Sequence, residues 1–135
     1  GGLGCISSHV VVELQNNRFE VVVVDNLSNS SLDILDRIFD ITGISPLFNK
    51  IDLMKNQSVV DFFSRHSDID GVMYFAASKA VGECVNNPLK YYENNIHSLV
   101  YLLKEINKLA YQKLIFSSSC TVNGQADELP ITEQA

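Results

Sequence analysis

The sequence alternates between two textures, and this alternation is its strongest constraint on the fold. Short apolar runs rich in β-branched residues come between longer segments whose apolar residues recur every three or four positions. The run "EVVVVD" at 20–25 is continuously apolar up to its last residue, as suits a strand buried on both faces of a parallel sheet. Further strands are predicted over 46–52 ("PLFNKID"), 71–77 ("GVMYFAA") and 113–119 ("KLIFSSS"). Helices are predicted over 6–17, within "SSLDILDRIFDITG", over roughly 56–66, and over 88–108. In the second helix Ile34, Leu35, Ile38 and Phe39 share one stripe. Ser30 with Asp33 resembles a capping box there, and Gly43 is a suitable stop. Val59, Val60, Phe62 and Phe63 mark the third helix. In the fourth and longest, Tyr92, Ile96, Leu99, Leu103 and Ile106 recur at steps of four and three. Strands alternating with helices imply an α/β fold with a doubly wound parallel sheet, because right-handed crossovers place helices on both faces. No repeat or linker divides the chain, so one unit is expected.

Sheets of this kind bind ligands beyond the carboxyl ends of their strands. Those ends carry Asp25 and Asn26, Asp52 and Leu53, Ala76 and Ala77, and Ser117, Ser118 and Ser119. All are acidic, small or hydroxylic apart from Asn26 and Leu53, which suggests one site built from four loops. The opening "GGLGCISSH" adds a fifth. Gly1 and Gly4 would let the backbone approach a pyrophosphate, and the helix after them would point free amides at it. Asp25 stands about 20 residues beyond the glycines, where a dinucleotide fingerprint has the carboxylate that accepts from ribose hydroxyls. A carboxylate there repels a 2'-phosphate, so NAD is expected rather than NADP. The strand that ordinarily precedes such glycines is expected to be absent. It would be central in the sheet, so the chain is expected to fold poorly alone. Plainer roles exist for the same residues. Asp25, Asp52 and Asn95 can cap strand or helix ends, the serines can serve turns, and Lys79 can be a solvated charge.

The net charge of −6 argues against a nucleic-acid backbone as partner. No apolar run approaches the roughly 20 residues of a membrane span. Cys5, Cys84 and Cys120 are odd in number and form no Cys-x-x-Cys pair. That fits a reducing, cytoplasmic compartment and excludes a standard zinc site. His9, His66 and His97 share no ligand spacing, and no metal is expected.

At "GGLGCISSH", "VVVVDNLSNSS", "FAASKAVGECVNNPLKYYENN" and "IFSSSCTVNG" the chain resembles the extended short-chain dehydrogenase/reductase family, on its UDP-hexose 4-epimerase branch. The resemblance runs over all 135 residues and covers less than half of such an enzyme. It implies a partial NAD-binding Rossmann domain over 1–135, with the substrate-binding half absent. It also implies a reaction that interconverts UDP-glucose and UDP-galactose in galactose metabolism, by hydride transfer at C4 through a 4-keto sugar. In that reaction a Tyr, its pKa lowered by a Lys one helical turn on, removes the 4-hydroxyl proton. By motif position Ser119 matches the catalytic hydroxyl. Gly1, Gly4, Cys5 and Ile6 match the pyrophosphate loop, and Asp25 and Asn26 match the adenosine-ribose contacts, with Asn29 and Ser30 close by. Asp52 and Leu53 match the adenine edge. Phe75, Ala76 and Ala77 match the strand end under the cofactor, and Lys79 a lysine near the nicotinamide ribose. Asn95 matches an asparagine facing the cofactor, and Ser117 a contact on the nicotinamide side. The resemblance also implies a homodimer, for which the long helix is a candidate surface.

The chain departs from the pattern in four ways. The leading strand is lacking. Ser7 stands at the third glycine, where weakened packing is expected rather than exclusion of NAD. Cys5 and Asn123 replace aromatic residues. No Tyr-x-x-x-Lys is present, since Tyr74, Tyr91, Tyr92, Tyr101 and Tyr111 all lack a lysine four residues on. Residues 1–135 alone are therefore expected to be inactive. A related nucleotide-sugar dehydratase or uronate epimerase, and a non-catalytic NAD-binding module, stay open as alternatives.

Overall fold

The computed structural model describes residues 1–78, 87–110 and 113–119. Helix α1 (Cys5–Asn16) leads into strand β1 (Val22–Asp25), helix α2 (Asp33–Thr42), strand β2 (Leu47–Lys50), helix α3 (Asn56–Arg65) and strand β3 (Val72–Tyr74). Helix α4 (Pro88–Tyr92), a π turn (Glu93–His97) and helix α5 (Ser98–Ile106) form one run before strand β4 (Leu114–Phe116). β1 pairs with β2 and β3 with β4, both parallel, with Val23 opposite Phe48 and Met73 opposite Ile115.

Helices cover both faces of β1, as its unbroken apolar run requires. Val22 and Val24 face a core of Val59, Phe62 and Phe63 from α3, Tyr74 from β3, and Leu102 and Ile106 from α5. Val23 points the other way, into Leu3, Val11 of α1 and Ile38 of α2. The first core takes side chains from both strand pairs and so ties them together. β3 and β4 are covered on one face only among the described residues. Val72 and Leu114 pack on the first core, while Met73 and Ile115 on the opposite face are exposed.

The elements stand where their patterns place them, with strands trimmed to the paired positions. α2 ends at Gly43, whose φ of 72° is a left-handed conformation that glycine adopts without penalty. The capping box at Ser30 does not form. Ser30 Oγ donates instead to Asp25 Oδ1, at 2.8 Å, and Ser31 donates to the Asp33 side chain. The long apolar stripe also divides. Leu99 and Ile106 pack inward, whereas Tyr92, Ile96 and Leu103 are exposed. The extra residue of the π turn rotates the side chains of α4 relative to those of α5, so one periodicity does not serve the whole run.

Candidate functional site

The carboxyl ends of the strands and the opening loop come together at one edge. Gly2 N donates to Val24 O at 3.0 Å, and Gly1 N lies 3.1 Å from the same oxygen. A Cβ built on Gly1 would stand 2.8 Å from the Ala76 Cα and 2.9 Å from the Phe75 carbonyl carbon. Those are backbone atoms, which cannot swing away, so only glycine fits. The order across the edge is β2, β1, the glycine loop, β3, β4, which sets Asp52, Asp25, Gly1, Ala76 and Ser117 in sequence. Ser117 N donates to Tyr74 O at 3.0 Å and extends the β3–β4 ladder.

The loop is held from inside. Ser7 is buried on the first turn of α1, with its hydroxyl 2.5 Å from Gly1 O and 3.2 Å from Gly4 O. The departure at the third glycine is thus a clasp: the hydroxymethyl fits and adds a hydrogen bond. The N–H groups of Cys5, Ile6 and Ser7 have no acceptor among the described residues, the ordinary state of a first helical turn. Gly4, the N-cap, brings no side-chain acceptor to them. The positive end of the helix dipole adds to their preference for an anion.

Asp25 is only 4% exposed. Oδ2 accepts from Leu3 N at 3.0 Å, and Oδ1 accepts from Leu27 N at 2.8 Å and from Ser30 Oγ at 2.8 Å. Burial pushes the carboxyl up, but the Leu27 and Leu3 amides and the Ser30 hydroxyl outweigh it and hold Asp25 below the usual carboxylate range. A carboxylate has about four acceptor positions, so little capacity remains for a ligand. Asp25 organises the glycine loop and the 26–30 loop as well as offering charge. Leu27, which the pattern did not single out, has a φ of 62°, strained for a branched residue. Its amide is gripped by Asp25 and its side chain by the second core.

Asn26 Oδ1 turns back to Ser28 N at 3.0 Å, and Asn29 is exposed beside it. Asp52 Oδ1 likewise accepts from Met54 N at 3.0 Å, closing the turn into α3, while Leu53 packs on the first core. Phe75 and Ala76 are half-buried and Ala77 is exposed. Ser117 and Ser119 are exposed at the end of β4. Lys79 lies outside the described residues, as do Cys84, Cys120 and Asn123. The Asn95 carboxamide holds the backbone of Ser78, with Oδ1 2.8 Å from Ser78 N and Nδ2 3.0 Å from Ser78 O. Asn94, within the quoted "YYENN" but not singled out from the sequence, sits beside it and donates to Ser78 Oγ at 3.2 Å.

The chain is 46% identical over 133 residues to the UDP-glucose 4-epimerase of Bacillus subtilis and spans 39% of that protein's length. It is likewise 46% identical over 133 residues to the UDP-glucose 4-epimerase of Dictyostelium discoideum, spanning 38% of it. Among solved structures it superposes with a TM-score of 0.90 on the UDP-glucose 4-epimerase of Stenotrophomonas maltophila with bound NAD and formylated UDP-arabinopyranose. That match is 41% identical and covers 100% of this chain and 40% of the other. The Bifidobacterium longum UDP-glucose 4-epimerase, in complex with NAD+ and UDP, gives a TM-score of 0.90 at 43% identity over 98% of this chain and 39% of that one. The fold is therefore the Rossmann-type α/β fold of these enzymes, incomplete in extent. The profile of the NAD dependent epimerase/dehydratase family matches residues 1–135, and the chain belongs to that family.

Proposed function

We propose that this chain is the dinucleotide-binding part of an NAD-dependent UDP-glucose 4-epimerase, which interconverts UDP-glucose and UDP-galactose. The observation that carries the reading is the glycine loop wedged between the ends of β1 and β3 and anchored on a buried carboxylate. The bare Cα of Gly1 lets the loop press on the Phe75–Ala76 backbone, and the amides at the start of α1 are unpaired among the described residues, where a pyrophosphate would be received, so the residues present fit a dinucleotide. Gly1, Gly4, Cys5 and Ile6 would hold the pyrophosphate. Asp25, Asn26, Asn29 and Ser30 would receive the adenosine ribose, and Asp52 and Leu53 the adenine. Phe75, Ala76 and Ala77 would lie under the cofactor, with Lys79 near the nicotinamide ribose and pyrophosphate and Ser117 on the nicotinamide side. When bound, NAD supplies the hydride acceptor and donor for C4 of the sugar. Ser119, at the tip of β4, would accept or pass the 4-hydroxyl proton.

We further place the parent enzyme in galactose metabolism in the cytoplasm, where the exposed thiol of Cys5 stays reduced. We also propose a homodimer paired through the outer face of the α4–α5 run. Titration with NAD and NADP tests the reading. NAD should bind, NADP should bind far more weakly because Asp25 repels its 2'-phosphate, and UDP-galactose should not turn over with residues 1–135 alone. Absence of NAD binding, or a preference for NADP, overturns it.

A further inference from the structure

The run from Pro88 to Ile106 is regular at both ends and widened between them by the π turn, Glu93–His97. Such turns disturb the regular pairing of carbonyls and occur frequently at functional sites. Here the turn is braced from below. Tyr74 on β3 places its phenol 2.7 Å from Ser98 Oγ, a buried contact, and Ser98 Oγ donates to the carbonyl of Asn94. Ser98 has one proton and the carbonyl can only accept, so Tyr74 is the donor to Ser98. Burial raises the Tyr74 phenol and outweighs the Ser98 hydrogen bond, which keeps that proton in place.

From this braced turn two side chains reach the segment leaving β3. Asn95 accepts from Ser78 N and donates to Ser78 O, at 2.8 and 3.0 Å, so it holds both polar groups of one residue. Asn94 Nδ2 donates to Ser78 Oγ at 3.2 Å and to Asn95 Oδ1 at 3.0 Å, fixing the orientation of the second amide. Asn95 Oδ1 thus has both lone-pair directions occupied by protein, and of its Nδ2 hydrogens one is already committed. Ser78 directly follows Ala76 and Ala77, and Ala76 is the residue against which Gly1 is packed.

We propose that Asn95 is a positioning residue that acts through Ser78. It fixes the backbone on both sides of the Ser78 Cα, at the end of the 75–78 segment, and thereby sets the surface on which the dinucleotide lies. The inference rests on the NAD-binding function proposed for this site. In the full chain, Asn95→Ala should weaken NADH binding about tenfold, the effect of losing one to two net hydrogen bonds. It should also speed exchange of the Ser78 amide about tenfold or more without cofactor. Affinity is measured by NADH fluorescence well below the melting midpoint, where a loss of global stability alone would leave it unchanged. If Asn95→Ala fails to fold, Asn95→Asp carries the test. It keeps an acceptor for Ser78 N, sets an oxygen against Ser78 O, and should still weaken NADH. Unchanged affinity in the variants, with the unsubstituted chain binding, overturns this inference alone. An unsubstituted chain that does not bind NADH overturns the functional reading, and the inference falls with it, whatever Ser78 exchange shows.

Discussion

Asp25 shows how much of a site one buried residue can organise. Its carboxylate gathers Leu3, Leu27 and Ser30, three groups from two loops. Its pKa is lowered in the fold despite burial, so the sign of its pH linkage is set. Its contribution is complete above the ordinary carboxylate value of about 3.9 and is lost as pH falls through the lower folded value. Urea unfolding from pH 7 down to pH 3 should therefore show stability falling at the acid end. Asn at this position presents an NH2 where one of the oxygens accepts, so Asp25→Asn should cost about 1–3 kcal/mol at neutral pH. It should also flatten the acid limb. Parallel acid limbs in the two proteins would show that other carboxylates govern it. Much of this is legible in the sequence, since the offset from the glycines marks Asp25. The strained Leu27 and the diversion of Ser30 are not. Both answer the demand of a buried carboxylate for donors, which depends on burial and not on local pattern.

At the scale of elements, the legible patterns are those set by two-sided burial. The "VVVV" run, the stripe of α2 and the Gly43 stop each reflect a requirement that neighbouring residues express on their own. Gly43→Ala should cost about 1 kcal/mol in urea unfolding, because its Cβ meets nothing within 4 Å and only the left-handed φ is penalised. An unchanged midpoint would mean the helix end relaxes. The π turn is not legible, because no residue type marks it. Its brace is the contact of Ser98 with Tyr74, which lies 24 residues earlier in the chain. Asn95 stands out for its position, but its target, Ser78, becomes visible only with that turn in place. Tyr74→Phe removes the donor to Ser98 while leaving the ring stacked on Phe116, at 5.6 Å. The expected loss is about 1 kcal/mol in melting or urea experiments. A much larger loss would show that the brace holds more than one turn.

At the scale of the whole molecule, the cores account for the inward faces and leave apolar side chains on outward ones, among them the outer face of the α4–α5 run. Along the α4–α5 run Leu89, Tyr92, Ile96, Val100 and Leu103 are exposed, from 73% at Leu89 to 39% at Val100. All five are turned away from the two cores, and no described element packs over them. A contiguous apolar patch on one helical run suits a self-complementary contact, in which the same face of two copies meets about a two-fold axis. The charge of −6 on each copy opposes such pairing, so the apolar contact must carry it, and added salt should strengthen it by screening. Ile96 lies mid-stripe and is 48% exposed, so a charged residue there can be solvated in a single copy without disturbing either core. Sedimentation analysis should therefore find the unsubstituted protein as a dimer and Ile96→Glu as a folded monomer with an unchanged far-UV spectrum. A dimer that survives Ile96→Glu would place the contact on another surface. A monomeric unsubstituted protein would leave this face to be covered by something other than a second copy.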